Sequence, residues 1–154
     1  MTLAPPIAIR SGHAKAALRI TNMRDRNKDL LKAAADTITA RYRPDWHVVG
    51  AALRLRTGEI VTGVHLDANV GRIAVCAEAI ALGRAVTEHG SSDVETIVAV
   101  YCHSDGRICV VAPCGMCREM IADYAPDARV LIRADEAIVE RSIRELLPEK
   151  YSRC

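Results

Sequence analysis

The chain has 154 residues, 50% of them apolar and 26% charged, which suits one compact globular domain and leaves no room for a second of ordinary size. At this length roughly two-thirds of the unfolded surface can be buried, so a core forms without a disulfide scaffold and the six Cys are available for other chemistry. A formal charge of +2 with four Tyr, one Trp and no Phe argues against the basic footprint and stacking platform of a nucleic-acid binder, and charged residues interrupt every apolar run before membrane-spanning length.

The start of the chain has no basic block ahead of an apolar one, so a cytoplasmic setting with reduced thiols is expected. Residues 1–23, with Pro5-Pro6 and Ser11-Gly12, are expected to form a flexible lead-in, and residues 24–154 the domain. Over residues 24–41 the spacing of Leu30, Leu31, Ala34 and Ile38 predicts an amphipathic helix. Residues 46–56 and 60–67 alternate as strands around Thr57-Gly58, which predicts a hairpin. Residues 76–88 predict a helix with Cys76, Ala79, Ile80, Gly83 and Val86 on its buried stripe, stopped by His89-Gly90. Residues 96–102 and 108–112 read as strands buried on both faces. A helix from Gly115 to Tyr124, a strand over 129–132 and a last helix over 136–147, ending before Pro148, complete the order. One mixed sheet covered by helices, an α/β fold, is the expected architecture.

The chemistry concentrates at two helix starts. Cys76-Ala77-Glu78 opens one predicted helix and Pro113-Cys114-Gly115-Met116-Cys117 opens another. A helix N-terminus favours negative charge, which lowers a thiol pKa and yields the thiolate that binds metal. Cys114 and Cys117 lie on one side of a turn, and two helix ends aimed at one spot would bring Cys76 in as a third ligand. Three protein ligands to Zn²⁺ leave the fourth tetrahedral position open, the mark of a catalytic ion. Glu78, two residues beyond Cys76, hangs beside that position and is suited to move protons from a water whose pKa falls from ~15.7 to roughly 7 on zinc. Hydrolysis is the reaction class.

This pattern, Cys-Ala-Glu followed by Pro-Cys-x-x-Cys, resembles the zinc-dependent cytidine deaminase family. Gly50-Ala51-Ala52-Leu53, the stretch from Pro113 to Glu119, and Glu145-Leu146-Leu147-Pro148 with Tyr151 are similar, in order and spacing, to the small homotetrameric cytidine deaminases and the blasticidin-S deaminases. The resemblance runs from residue 24 to residue 151. It implies a three-layer αβα sandwich around a five-stranded mixed sheet, and a homotetramer (or homodimer) whose active sites are completed by neighbouring subunits. It also implies a small nucleoside as substrate, with neither nucleic acid nor membrane as partner. Cys76, Cys114 and Cys117 would hold zinc, and Glu78 would carry protons to the ring nitrogen and then to departing ammonia. The Ala77 backbone would meet the pyrimidine, and Tyr151 would lie over the base of a neighbouring site.

The chain departs from that family at three places. Where the family has Asn-x-Glu for the ribose, this sequence has His65-Leu66-Asp67. Asp is one methylene shorter than Glu, and His is bulkier and titrates near neutrality. Ala79 stands where the tetrameric enzymes carry an Arg that offsets thiolate charge, so Arg118 or another Arg is expected to serve. His47, next to Trp46, takes the place of the usual base-stacking aromatic. These departures make a blasticidin-S-type substrate the alternative to cytidine or deoxycytidine.

Other classes remain open at the level of sequence. Cys114 and Cys117 alone also fit a thiol oxidoreductase, and a zinc-stabilised binding protein without turnover would carry the same thiols. Glu78 could be a solvated helix residue, and His65 and Asp67 the polar face of an edge strand. Cys102 and Cys109, in apolar runs, are expected to be small core residues, and Cys154 carries no assigned role.

Overall fold

The computed structural model describes residues 23–153. Most of the expected lead-in, together with Cys154, lies outside the described residues. Met23, the last residue of that lead-in, packs against the core.

Helix α1 (Asp25–Arg41) buries Leu30, Leu31, Ala34 and Ile38, the stripe that its spacing predicts. Strands β1 (Val49–Leu55) and β2 (Ile60–Val64) pair antiparallel, and the turn between them is made by Gly58 at φ 109°, a conformation that favours glycine. Helix α2 (Ala77–His89) ends in a left-handed C-cap at Gly90, as His89-Gly90 predicts. Strands β3 (Val94–Cys102) and β4 (Ile108–Val111), helix α3 (Gly115–Tyr124), strands β5 (Arg129–Ala134) and β6 (Ala137–Ser142) and helix α4 (Ile143–Leu146) follow.

The sheet has six strands, in five ranks. Its path is β2-β1-β3-β5-β6, with β4 also on β3. The far edge of β3 is shared: Thr96 to Val98 pair parallel with β5, and Ala99 to Cys102 pair antiparallel with β4. The expected five-stranded sheet is therefore right in width and one short in strand count. Residue alternation sends Ala52, Val98, Val100 and Leu131 into one core with α1. It sends Leu53, Leu55, Ile97 and Val130 into another with α2, α3 and Ile143. The result is three layers, helix, sheet and helices.

Four sequence expectations are corrected. Residues 137–142 form β6 and not the start of a long helix. Asp135 adopts φ 51°, the tight turn returns the chain antiparallel to β5, and the helix begins only where a capping box, Ser142 with Glu145, satisfies its first donors. Strand β4 is not buried on both faces, since only Val110 of its four residues is buried; it pairs with β3 alone. The buried stripe of α2 is Ala77, Glu78, Ala81, Leu82 and Ala85, whereas Gly83 and Val86 face outward. The apolar residues of that helix spread beyond one stripe, with Ala79, Ile80 and Val86 outside the buried set, so periodicity alone does not choose its face; close packing on the sheet does. Cys102 is buried as expected, but Cys109 is only half-buried, with Sγ 3.5 Å from His103 Nε2.

Two glycines set the helix-to-sheet distance. A Cβ on Gly63 of β2 would lie 2.6 Å from Ala77 O and 2.7 Å from Ala81 N. One on Gly50 of β1 would lie 2.7 Å from Ala34 O. Gly63 thus seats the start of α2 directly on β2.

Candidate metal centre and active site

Cys76 is the N-cap of α2 and Cys114 the N-cap of α3, and neither helix start has a side-chain cap hydrogen bond. Where Ser or Asp would normally cap, a sulfur sits instead. Two local features bring these starts together. The Leu66–Val75 bridge folds the chain after β2 back to Cys76. The β3–β4 hairpin delivers Pro113 to α3 from the opposite side, and Ala51, Ala77 and Ala99 form the small packed layer beneath.

The outcome is a cluster. Cys76 Sγ and Cys114 Sγ are 3.6 Å apart, and the sulfurs of Cys76, Cys114 and Cys117 all lie within 4.8 Å of one another. Zn–S bonds of about 2.3 Å in tetrahedral geometry separate sulfurs by about 3.8 Å, so the donor set and its spacing fit zinc. A dithiol redox pair would need no third thiol. Cys117 is buried at 2% exposure, while Cys76 is half-buried and Cys114 exposed.

Electrostatics distinguish the three thiols. Burial pushes the Cys117 thiol well up, with Glu78 and the other two thiols adding to the effect. Burial also raises Cys76, assisted by its contact with Cys114. Burial works the same way on Cys114, but the Cys117 backbone N–H and the neighbouring thiols outweigh it and hold that group below the ordinary thiol value. Cys114 is therefore the first of the three to ionise.

Glu78 is 6% exposed, which rules out the reading of a solvated helix residue. Burial raises its carboxyl pKa, against opposing pulls from its own backbone N–H, the Cys117 thiol and His65. A carboxyl tuned upward beside a cluster of thiols is suited to accept and return a proton.

His65 and Asp67 continue the extended chain beyond β2. His65 N–H donates to Val49 O at 2.9 Å and Asp67 N–H to Trp46 O at 3.1 Å. His65 lies close enough to Glu78 to lower its pKa, and among the described residues its buried Nδ1 has no hydrogen-bond partner. Asp67 Oδ1 accepts from Ala68 N–H at 2.7 Å. His47 Nδ1 lies 2.8 Å from His65 O; a carbonyl only accepts, so Nδ1 carries the proton in this contact. Arg43 covers the Trp46 ring at 5.0 Å, which occupies the aromatic beside His47. Ala77 is fully buried, and Tyr151 is 74% exposed.

The sequence expects Arg118 to offset thiolate charge. Its guanidinium is directed elsewhere, to Pro113 O and Leu146 O, each at 2.9 Å. Gly63 is the position that sequence reasoning passed over, and only a backbone approaching within van der Waals distance could reveal it. A groove of about 520 Å³ between α1, β2 and α2, lined by residues such as Asp36, Arg41, Ile80 and Arg84, includes none of the site residues.

Comparison with known proteins agrees with this geometry. The profile of the cytidine and deoxycytidylate deaminase zinc-binding region matches residues 24–133. A blasticidin-S deaminase from Bacillus cereus is 48% identical over 140 residues, covering 88% of this chain and 99% of that protein. A cytidine deaminase from Halalkalibacterium halodurans is 32% identical over 126 residues, covering 80% and 92%. Crystal structures of cytidine deaminases superpose on the fold. That from Bacillus anthracis has TM-score 0.69 at 25% identity, covering 80% of this chain and 88% of that one. That from Burkholderia pseudomallei has TM-score 0.67 at 25% identity, covering 80% and 98%. A mixed sheet between helices, three convergent thiols with a buried carboxyl, and these likenesses lead to one conclusion: the chain belongs to the zinc-dependent cytidine and deoxycytidylate deaminase family, and it is a hydrolytic deaminase.

Proposed function

We propose that Cys76, Cys114 and Cys117 hold the zinc ion while Glu78 carries the protons, in hydrolytic deamination of the cytosine ring of a free nucleoside. The convergence of three thiols beside a buried carboxyl carries this reading. When bound, zinc would supply Lewis acidity and lower the pKa of the attacking water. Glu78 takes a proton from the attacking water and passes it to the ring nitrogen. A bond from the water oxygen to C4 forms, Glu78 carries the second proton from that oxygen to the exocyclic amino group, and the bond from C4 to that group breaks as ammonia leaves.

On the sugar side His65 and Asp67 face the ribose, while His47 stands at the base-stacking wall and the Ala77 backbone meets the pyrimidine, with Tyr151 reaching the site of a neighbouring copy. The His65 and Asp67 departures, with the 48% identity to a protein named blasticidin-S deaminase, support a cytosine nucleoside with a modified sugar as the second reading. Reduced thiols at the site suit a cytoplasmic enzyme, and a site closed by neighbouring copies disfavours nucleic acid as substrate.

The test is mutation with metal analysis. Glu78→Ala is expected to keep one zinc per chain and lose ammonia release by about 10²–10⁴-fold or more, whereas Cys114→Ala loses the zinc. Full activity in Glu78→Ala would overturn the proton path. Ultraviolet assays of cytidine and blasticidin S side by side assign the substrate, and preference for cytidine would reject the second reading.

A further inference from the structure

Arg118 holds the peptide of a zinc ligand from two directions. Its backbone N–H donates to Cys114 O at 2.9 Å, and its side-chain Nε–H donates to Pro113 O at 2.9 Å. One residue thereby fixes both carbonyls that flank the Cys114 N–Cα–C unit. The third bond, Nη1–H to Leu146 O at 2.9 Å, anchors the guanidinium to the end of α4, a separate segment.

Cys114 needs such an anchor. It is exposed, and Pro113 contributes no N–H to hold the turn. Cys117, by contrast, is buried in the core cluster and is held by packing.

We propose that Arg118 is the positioning residue of the metal centre: its guanidinium presets the Cys114 sulfur by clamping the Pro113 carbonyl, the acyl half of the peptide that enters Cys114, against the Leu146 carbonyl at the end of α4. It acts through geometry and not through its charge. The planar fork matters because its nitrogens reach two carbonyls in fixed directions, which a single ammonium cannot reproduce. Partners that orient metal ligands typically contribute 10–100-fold to metal affinity.

The inference rests on the reading of the three cysteines as zinc ligands. Its test measures zinc affinity by chelator competition on the purified enzyme, with folding followed by circular dichroism. Arg118→Lys and Arg118→Met are both expected to bind zinc at least tenfold more weakly than the unaltered enzyme. Lys150→Met, which frees Asp123 and Glu119 of their partner on the C-terminal segment without touching Pro113, should keep the original affinity. If Arg118→Lys keeps the original affinity, the charge suffices and the proposal is overturned. Zinc binding unchanged in Arg118→Met, with only a lower melting temperature, would equally overturn it. Should Arg118→Met fail to fold, Arg118→Lys decides. An unaltered enzyme without zinc would overturn the ligand reading and this inference together, whereas tight zinc in the unaltered enzyme and both variants overturns this inference alone.

Discussion

Individual residues do unequal work here, and the glycine at position 63 shows how. No chemistry attaches to it, yet a single methyl would enter the space of Ala77 O and Ala81 N. Both atoms are helix backbone, which cannot rotate away as a side chain can. Gly63→Ala is therefore expected to destabilise the fold by about 1–3 kcal/mol through overpacking. It should also lower kcat, because α2 must move off the sheet and take Cys76 and Glu78 with it. Thermal unfolding and steady-state kinetics check both parts. The cysteines and Glu78 were legible in the sequence because their spacing relative to helix starts is a local property. Gly63 and the carbonyl-binding role of Arg118 were not, since their contacts lie 14 and 28 residues away in the chain, at Ala77 and Leu146.

Among the elements, the β5–β6 hairpin is where local reading and tertiary context part. The stretch over 136–147 has helical composition in its second half, and the Ser142 to Glu145 box marks where the helix truly begins. Its first half is held as a strand by pairing with β5 and by Glu140, which reaches across the sheet. Burial raises the Glu140 pKa, but hydrogen bonds from Asn27 and Arg129 and the nearby charges of Arg24 and Arg129 outweigh it and leave the net value below 4.5. A carboxyl whose folded pKa is depressed stabilises the fold at pH above its unfolded value, and that contribution is lost as pH falls through the folded value. The melting temperature of the unaltered chain should therefore drop between about pH 5 and pH 3 more steeply than that of Glu140→Gln. The two curves should converge in stronger acid. Parallel curves would show that the α1-to-β6 tie contributes nothing.

At the scale of the whole molecule, the site opens onto an apolar surround. Val70 and Ile73, in the segment that leads to Cys76, are 60% and 66% exposed, and Met116, between the other two cysteines, is 67% exposed. Large apolar side chains gathered at one place on a surface mark an interaction site. Their exposure, near the cysteines in the chain, supports the homotetramer (or homodimer) that the family resemblance implies. Light scattering is expected to give about four times the 16.7 kDa chain mass; a monomer mass at working concentration would reject the arrangement. Among the described residues no helix is long and apolar enough to cross a membrane.

By itself, the sequence determined most of the element types, the two cysteine-bearing helix starts and the identity of the thiols and the carboxyl, because hydrophobic period, caps and ligand spacing act over a few residues. Tertiary structure decided the rest. It chose which side of α2 meets the sheet, turned residues 137–142 into a strand, let β4 and β5 divide one edge of β3, and aimed Arg118 at two carbonyls. Each of these depends on contacts between segments far apart in the chain, whose energies exceed the small local preferences that a sequence pattern records.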